Sequence, residues 1–225
     1  MGIWSVSAQN TLILKRSLDD YLLKKGFPER TKKAFSYLKE GVKADDPERI
    51  YYYAIMLTGI CYKKHNGGKC KYCKHDEKKA TDYFKIAAEK NHSGAQLQYA
   101  LHLAFGRGVH QDKGLAKIYF SKSSAQRNFE AMSYEAECYL IGFGCDTDSL
   151  KAYECYKRMY TDVTSEIYKS GSHYKISADS IYRISENYLK INRLDTAIDS
   201  IRAIAYPIDY YLMGGIQYKS LNFAP

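Results

Sequence analysis

Apolar residues recur along this chain at helical spacing, and in the middle of the chain the helices they predict come in pairs. Leu12, Ile13, Leu18, Leu22 and Leu23 form one stripe and predict a first helix over 9–25, stopped by Gly26-Phe27-Pro28. A second helix is expected over Glu29–Glu40 and closed by Gly41. Asp46-Pro47 supplies an N-cap followed by proline in the first helical turn. From there Ile50, Tyr53, Ala54 and Leu57 carry a third helix to about Tyr62. Pairs follow at 76–90 with 93–105 and at 112–126 with 129–141, then a helix over 148–160. Ala178, Ile181, Ile184 and Tyr188 stripe a helix over 172–190, and Ala197, Ile198, Ile201 and Ile204 stripe one over 194–205. Pro207 and Gly214-Gly215 break the pattern, leaving 206–225 as a short non-helical tail.

The pairs also repeat in sequence. Ala95, Ala100, Gly106, Gly108, Asp112 and Ala116 return 36 residues later as Ala131, Ala136, Gly142, Gly144, Asp148 and Ala152. A fixed period of this size marks stacked helical hairpins. Small residues let helices approach closely, Gly-x-Gly gives a turn able to reach positive φ, and the Asp caps the next helix. Residues 1–28 stand outside the repeat and are expected to cap the stack.

At 225 residues and 45% hydrophobic content the chain can build a continuous core, and no apolar run approaches the roughly 20 residues of a membrane span. No basic-then-apolar leader opens it, so a cytoplasmic location without membrane contact is expected. The 23 tyrosines suit helix seams in which the ring packs and the hydroxyl reaches an edge. Net charge is +9 and uneven: residues 1–112 carry +8 and residues 113–225 carry +1. That asymmetry suits an anionic partner.

One unit is interrupted. Ala34 to Ala80 and Ala54 to Ala100 are 46 residues apart, about ten more than the period, and the excess lies in an insert over 61–75. The insert holds Cys61, His65, Cys70 and Cys73, with Gly67-Gly68 between the two pairs. Cys70-x-x-Cys73 has the spacing of a metal knuckle, and Cys61 and His65 would share a face if the preceding helix continued. Three sulfurs and an imidazole suit a closed tetrahedral Zn2+ site, with His75 as the rival fourth ligand. A metal-free reduced loop and a redox Cys-x-x-Cys are the alternatives, although the latter lacks a thioredoxin-like setting. Lys63, Lys64, Lys69, Lys71 and Lys74 would make the loop a basic prong suited to phosphate contacts, including those of ribosomal RNA. Cys138 and Cys155 fall within helices and are expected as core sulfurs, while Cys145 falls in a turn.

The stretch Gly106-Arg107-Gly108-Val109, with Asp112, Ala116 and Tyr119-Phe120, resembles the Sel1-like repeat, a relative of the tetratricopeptide repeats. Ala95, Tyr99, Ala100 and Leu103 match its preceding helix; Gly142–Tyr156 is a looser copy; 76–90 keeps Asp76, Ala80, Tyr83 and Ala87-Ala88. The resemblance covers 29–160, with 161–205 more generally tetratricopeptide-like. It implies an all-α, right-handed α-solenoid that acts as a scaffold and not as an enzyme. No phosphate loop, nucleophile elbow or His-Glu-x-x-His motif argues otherwise. With the basic half, the lysine-rich insert and a tail whose Tyr218, Leu221 and Phe223 could insert into a partner, the expectation is non-catalytic docking on a large ribonucleoprotein. The ribosome is the concrete case, with the protein a monomer in that larger complex, for example as a dormancy factor. The alternative is a scaffold gripping a peptide or helix of a client protein in its concave groove.

Overall fold

A computed structural model describes residues 18–27, 32–58, 75–167, 182–183, 185–187, 189–190 and 193–202. Among them every regular element is helical: α1 (18–24), α2 (Lys32–Lys43), α3 (Pro47–Leu57), α4 (Glu77–Glu89), α5 (Ser93–Phe105), α6 (Lys113–Ala125), α7 (Phe129–Ile141) and α8 (Ser149–Ile167), then helical residues within 182–190 and over 194–202. They group into two compact units, divided between Gln111 and Asp112.

In the first unit, α3 packs on α2 and on α4, and α4 packs on α5. Asp46 accepts from the backbone N–H groups of Glu48 and Arg49, and Asp76 accepts from Lys79. Each satisfies donors that the first turn of a helix leaves orphaned. Leu18, Leu38, Ile50, Ile55, Met56, Phe84 and Leu101 are fully buried. At about 2 kcal/mol for each such side chain, they dominate the stability of the unit.

Gly41 corrects the expectation that it ends the second helix: α2 runs through it to Lys43, and Asp45 takes the positive φ (58°) of the turn. A Cβ at Gly41 would stand 2.1 Å from the Arg49 Cβ, so the glycine serves a close helix crossing. Likewise α3 ends at Leu57, short of Tyr62. The Thr58 hydroxyl turns back to the Ile55 carbonyl (2.7 Å), and the Leu57 carbonyl accepts from Asp76 N–H (2.9 Å), as a residue from across the insert takes the place of the next helical turn.

The second unit packs α7 between α6 and α8. Asp112 and Asp148 cap α6 and α8 as expected, accepting from Leu115 and Lys151. Asn128 caps α7. No glycine or proline interrupts Ser149–Ile167, and α8 therefore runs on past Tyr160. Met132, Tyr153, Tyr156, Met159, Ala197, Ile198 and Ile201 form one core, so the helix at 194–202 belongs to this unit.

Both Gly-x-Gly turns are built alike. Gly106 and Gly142 cap α5 and α7 in the left-handed region, and the following N–H groups return to the carbonyls of His102 and Cys138. Gly108 and Gly144 also have positive φ (64° and 71°), and each lies against the first turn of the helix that opens its own hairpin. A Cβ at Gly108 would be 2.5 Å from the Glu77 carbonyl oxygen, and one at Gly144 would be 2.1 Å from that of Lys113.

We expect Gly108→Ala to lose on the order of 3 kcal/mol of stability in urea denaturation, since the obstacle is backbone that cannot step aside. Gly26→Ala, also at positive φ (83°) but with nothing within 4 Å, should cost only about 1 kcal/mol.

Candidate functional site

Of the residues singled out for chemistry, His75 lies within the described structure. Cys61, His65, Cys70, Cys73, Lys63, Lys64, Lys69, Lys71 and Lys74 lie outside the described residues, as do Tyr218, Leu221 and Phe223. His75 is exposed, with Nδ1 3.1 Å from the Thr58 carbonyl oxygen. Together with the Asp76-to-Leu57 bond it joins the two ends of the insert. Because α3 ends at Leu57, the shared helical face that favoured His65 is not supplied by α3. No three His, Cys, Asp or Glu side chains among the described residues gather as a metal site.

The three described cysteines are free thiols. Burial pushes Cys138 well up, with Cys145 nearby adding to it, and burial pushes Cys155 up to about 12. Both lie buried in the helical core, which is where the sequence places Cys138 and Cys155 as core sulfurs. Cys145 sits at the α7–α8 turn with its thiol 3.5 Å from the Cys138 carbonyl oxygen.

Two buried polar networks were not foreseen. Two carboxylates on α7, Glu135 and Glu137, gather polar partners from the neighbouring helices. Glu135 accepts from Ser121 (2.7 Å), Ser124 (2.6 Å) and Arg158 (2.9 Å). Burial alone would raise its pKa, but the serine hydrogen bonds and the Arg158 charge outweigh burial and hold the carboxyl below its ordinary value. Glu137 accepts from the Tyr156 hydroxyl and from Arg202 (2.6 Å). The signal was in the period: Glu135 and Glu137 occupy the registers of Tyr99 and Leu101 one repeat earlier. At a third register, Phe84 and Phe120 give way to Tyr156, all three fully buried. A buried phenol requires an acceptor, Glu137 provides it, and the charge so introduced is answered by Arg202. These buried groups fix the packing of the helices that carry them.

Imidazoles, one half-buried and one buried, do similar work in the first unit. His92 stacks on Tyr51 and its Nδ1 accepts from Ala95 N–H as the cap of α5. His102 Nδ1 and the Thr81 hydroxyl lie 2.7 Å apart, and both reach the Arg107 carbonyl (3.0 and 2.8 Å) inside the Gly-x-Gly turn. Burial lowers His92, and burial lowers His102 to about 4, with the Arg107 charge pressing the same way.

The surface offers apolar side chains and cations. Phe105 and Ile141 occupy the same register of successive repeats, at the ends of α5 and α7, and are 36% and 46% exposed. Ile118 on α6 and Leu150 on α8 are about half exposed. In the second unit Lys117 and Lys151 lie over the Tyr139 ring, and Lys113 lies over Phe143. Many cations are already answered: Lys79 by Asp76, Lys151 by Asp148, Lys90 by Asp45 and Lys157 by Glu186.

His102 is neutral in the fold and protonates in the unfolded chain near pH 6.5. Its contribution is therefore full above about pH 6.5, declines as pH falls and is gone below about 4, a loss approaching 3 kcal/mol. His102→Gln should flatten that part of the stability–pH curve read by thermal melting. In the second unit, Arg202→Leu should cost about 2–3 kcal/mol by stranding Glu137, and adding Tyr156→Phe with Glu137→Leu should recover most of it; denaturation of the single and triple variants checks both.

Residues 50–92, 93–128 and 130–161 match the Sel1 repeat. Chitin synthase regulatory factor 2 of Schizosaccharomyces pombe is 28% identical over 158 residues, covering 64% of this chain and 30% of that protein. This chain thus corresponds to under a third of that relative's length. Among solved structures, a Sel1 repeat protein from Oxalobacter formigenes superposes with a TM-score of 0.56 at 18% identity, covering 89% of this chain and 74% of the other. A protective antigen of uropathogenic Escherichia coli displaying an SLR fold gives a TM-score of 0.42 at 18% identity, covering 96% and 50%.

Proposed function

This chain is a Sel1 repeat protein with an all-α solenoid fold, and from that premise we propose that it is a non-catalytic scaffold that binds a segment of a client protein. The observation that carries this reading is the recurrence of exposed apolar side chains on the repeats: Phe105 and Ile141 at one register, with Ile118 and Leu150 on the helices that follow. Repeats that bury their own core and still present such side chains offer anchors for a partner's apolar residues. The relative's name supports the same direction, since it describes a regulatory factor and not the synthase itself. A scaffold of this kind acts on its client by holding it, and its location follows the client, in the cytoplasm by our reading. Among the described residues no helix is long and apolar enough to cross a membrane.

The net charge of +9 is what favours a ribonucleoprotein such as the ribosome as partner. Several described lysines are spent on neighbouring carboxylates, and we place that reading second.

The two separate experimentally. In the combined variant Ile118→Glu, Ile141→Glu and Leu150→Glu, melting should stay within about 2 °C of the parent because exposed sites are changed. Capture of a client by a photo-crosslinker at the exposed position 154, one helical turn after Leu150, should fall at least tenfold in that background, and in the parent it should survive raised salt. Crosslinks to RNA that vanish steeply with salt, and that the triple variant leaves intact, would overturn the scaffold reading in favour of the ribonucleoprotein.

A further inference from the structure

We propose that the adjoining exposed faces of α6 and α8, within the second unit, form the client surface, and that the client segment they take is acidic as well as apolar. This rests on the scaffold reading above and adds to it the chemistry of the client.

Three contacts place α6 and α8 side by side over α7. Lys117 of α6 and Lys151 of α8 meet over the same Tyr139 ring, 4.5 and 5.7 Å from its centroid. Arg158 of α8 donates to the Ser124 hydroxyl near the end of α6. Arg127, just after α6, pairs with Asp162 of α8 at 3.4 Å. The partners in the second and third contacts are 34 and 35 residues apart, so the two helices run parallel at a nearly constant register. Beside these contacts each helix keeps an exposed row. On α6 it holds Ile118 and Lys122, one turn apart, and on α8 it holds Leu150 and Glu154, also one turn apart. Ile118 and Leu150 are 48% and 55% exposed. Arg158 continues the row on α8, its side chain still 47% exposed while it reaches Ser124 and Glu135. Lys122 and Arg158 occupy the same register of successive repeats, so two cations stand together one turn beyond Ile118.

Charge decides what suits this surface. α6 carries Lys113, Lys117 and Lys122 and no carboxylate. The acidic groups around it are already engaged, Glu135 with Arg158, Asp148 with Lys151 and Asp162 with Arg127. Lys122 lies over the Tyr119 ring, 4.8 Å from its centroid, and among the described residues no carboxylate pairs with it. A client segment that sets an apolar side chain on Ile118 and Leu150 and a carboxylate one turn along would answer Lys122 and Arg158; the apolar contact supplies affinity and the charge selects the segment. Nucleic acid fits less well, because its phosphates make no use of Ile118 and Leu150, and Glu154 repels them.

The test presents the full chain to a display library of random dodecapeptides; enriched peptides are synthesised and titrated by fluorescence anisotropy. They should combine apolar residues with Asp or Glu and carry net negative charge. Lys122→Glu should weaken their binding by about fivefold or more, and exchanging the peptide carboxylates for lysines should restore binding to that variant. Glu154→Lys should strengthen binding of the acidic peptides by about threefold, a gain that a misfolded variant cannot give. Thermal melting establishes that each variant stays folded. Enriched peptides without negative charge, lost on Ile118→Glu with Leu150→Glu but indifferent to Lys122→Glu, would overturn the acidic client and leave the scaffold reading standing. Peptides whose binding survives Ile118→Glu with Leu150→Glu would overturn this surface. No enriched peptide, together with single-stranded RNA binding that Lys122→Glu abolishes, would overturn both readings, and no binding of either probe would overturn them as well.

Discussion

The fold depends on how closely a turn can approach the start of a helix. At Gly108 and Gly144 the backbone of the turn lies against the first helical turn of α4 and of α6, with no room for even one methyl group. The contact closes each hairpin: the chain leaves the second helix through a left-handed glycine, touches the beginning of the first and continues into the next cap. The partner carbonyls, at Glu77 and Lys113, stand 31 residues before their glycines in both cases, which makes the hairpin a unit of set size. Close approach at Gly41, where α2 passes under Arg49, applies the same device to a helix crossing.

Within that frame, the differences between repeats carry the individuality of the molecule. The repeated alanines are fully buried in both copies. Tyr156, Glu137 and Arg202 form a linked set instead, since each is a response to the one before it. A phenol at an aromatic register recruits a carboxylate, and the carboxylate recruits a guanidinium from the helix at 194–202. Buried ionic groups of this kind add little net stability but penalise any arrangement in which one is left alone. They therefore specify that the helix at 194–202 packs with α7 and α8.

Much of this was legible in the sequence, and for a physical reason. Periodic small residues, Gly-x-Gly and cap aspartates report local backbone geometry, which neighbouring residues determine. The pairs α4–α5 and α6–α7 fall where Asp76, Asp112 and the glycine turns put them. What sequence reading missed depends on contacts distant along the chain. Gly41 reads as a stop signal until Arg49 is seen beside it. The end of α3 is set by His75 and Asp76 arriving from beyond the insert, and the role of Glu137 by a residue 65 positions away. His92 and Asn128 as caps of α5 and α7 were visible in principle, two residues before Gly94 and before Glu130. The candidate chemistry lies mostly at 59–74, outside the described residues, and there the sequence remains the guide.

The two hydrogen bonds that join Leu57 and Thr58 to Asp76 and His75 have a further meaning for how such proteins change over time. Sealed at its root, the segment between them can lengthen, shorten or change composition without altering the spacing of α3 and α4, and loop-closure entropy rises only slowly with length. Such a junction is an insertion port: new recognition elements can be exchanged there while the array that carries them is inherited unchanged.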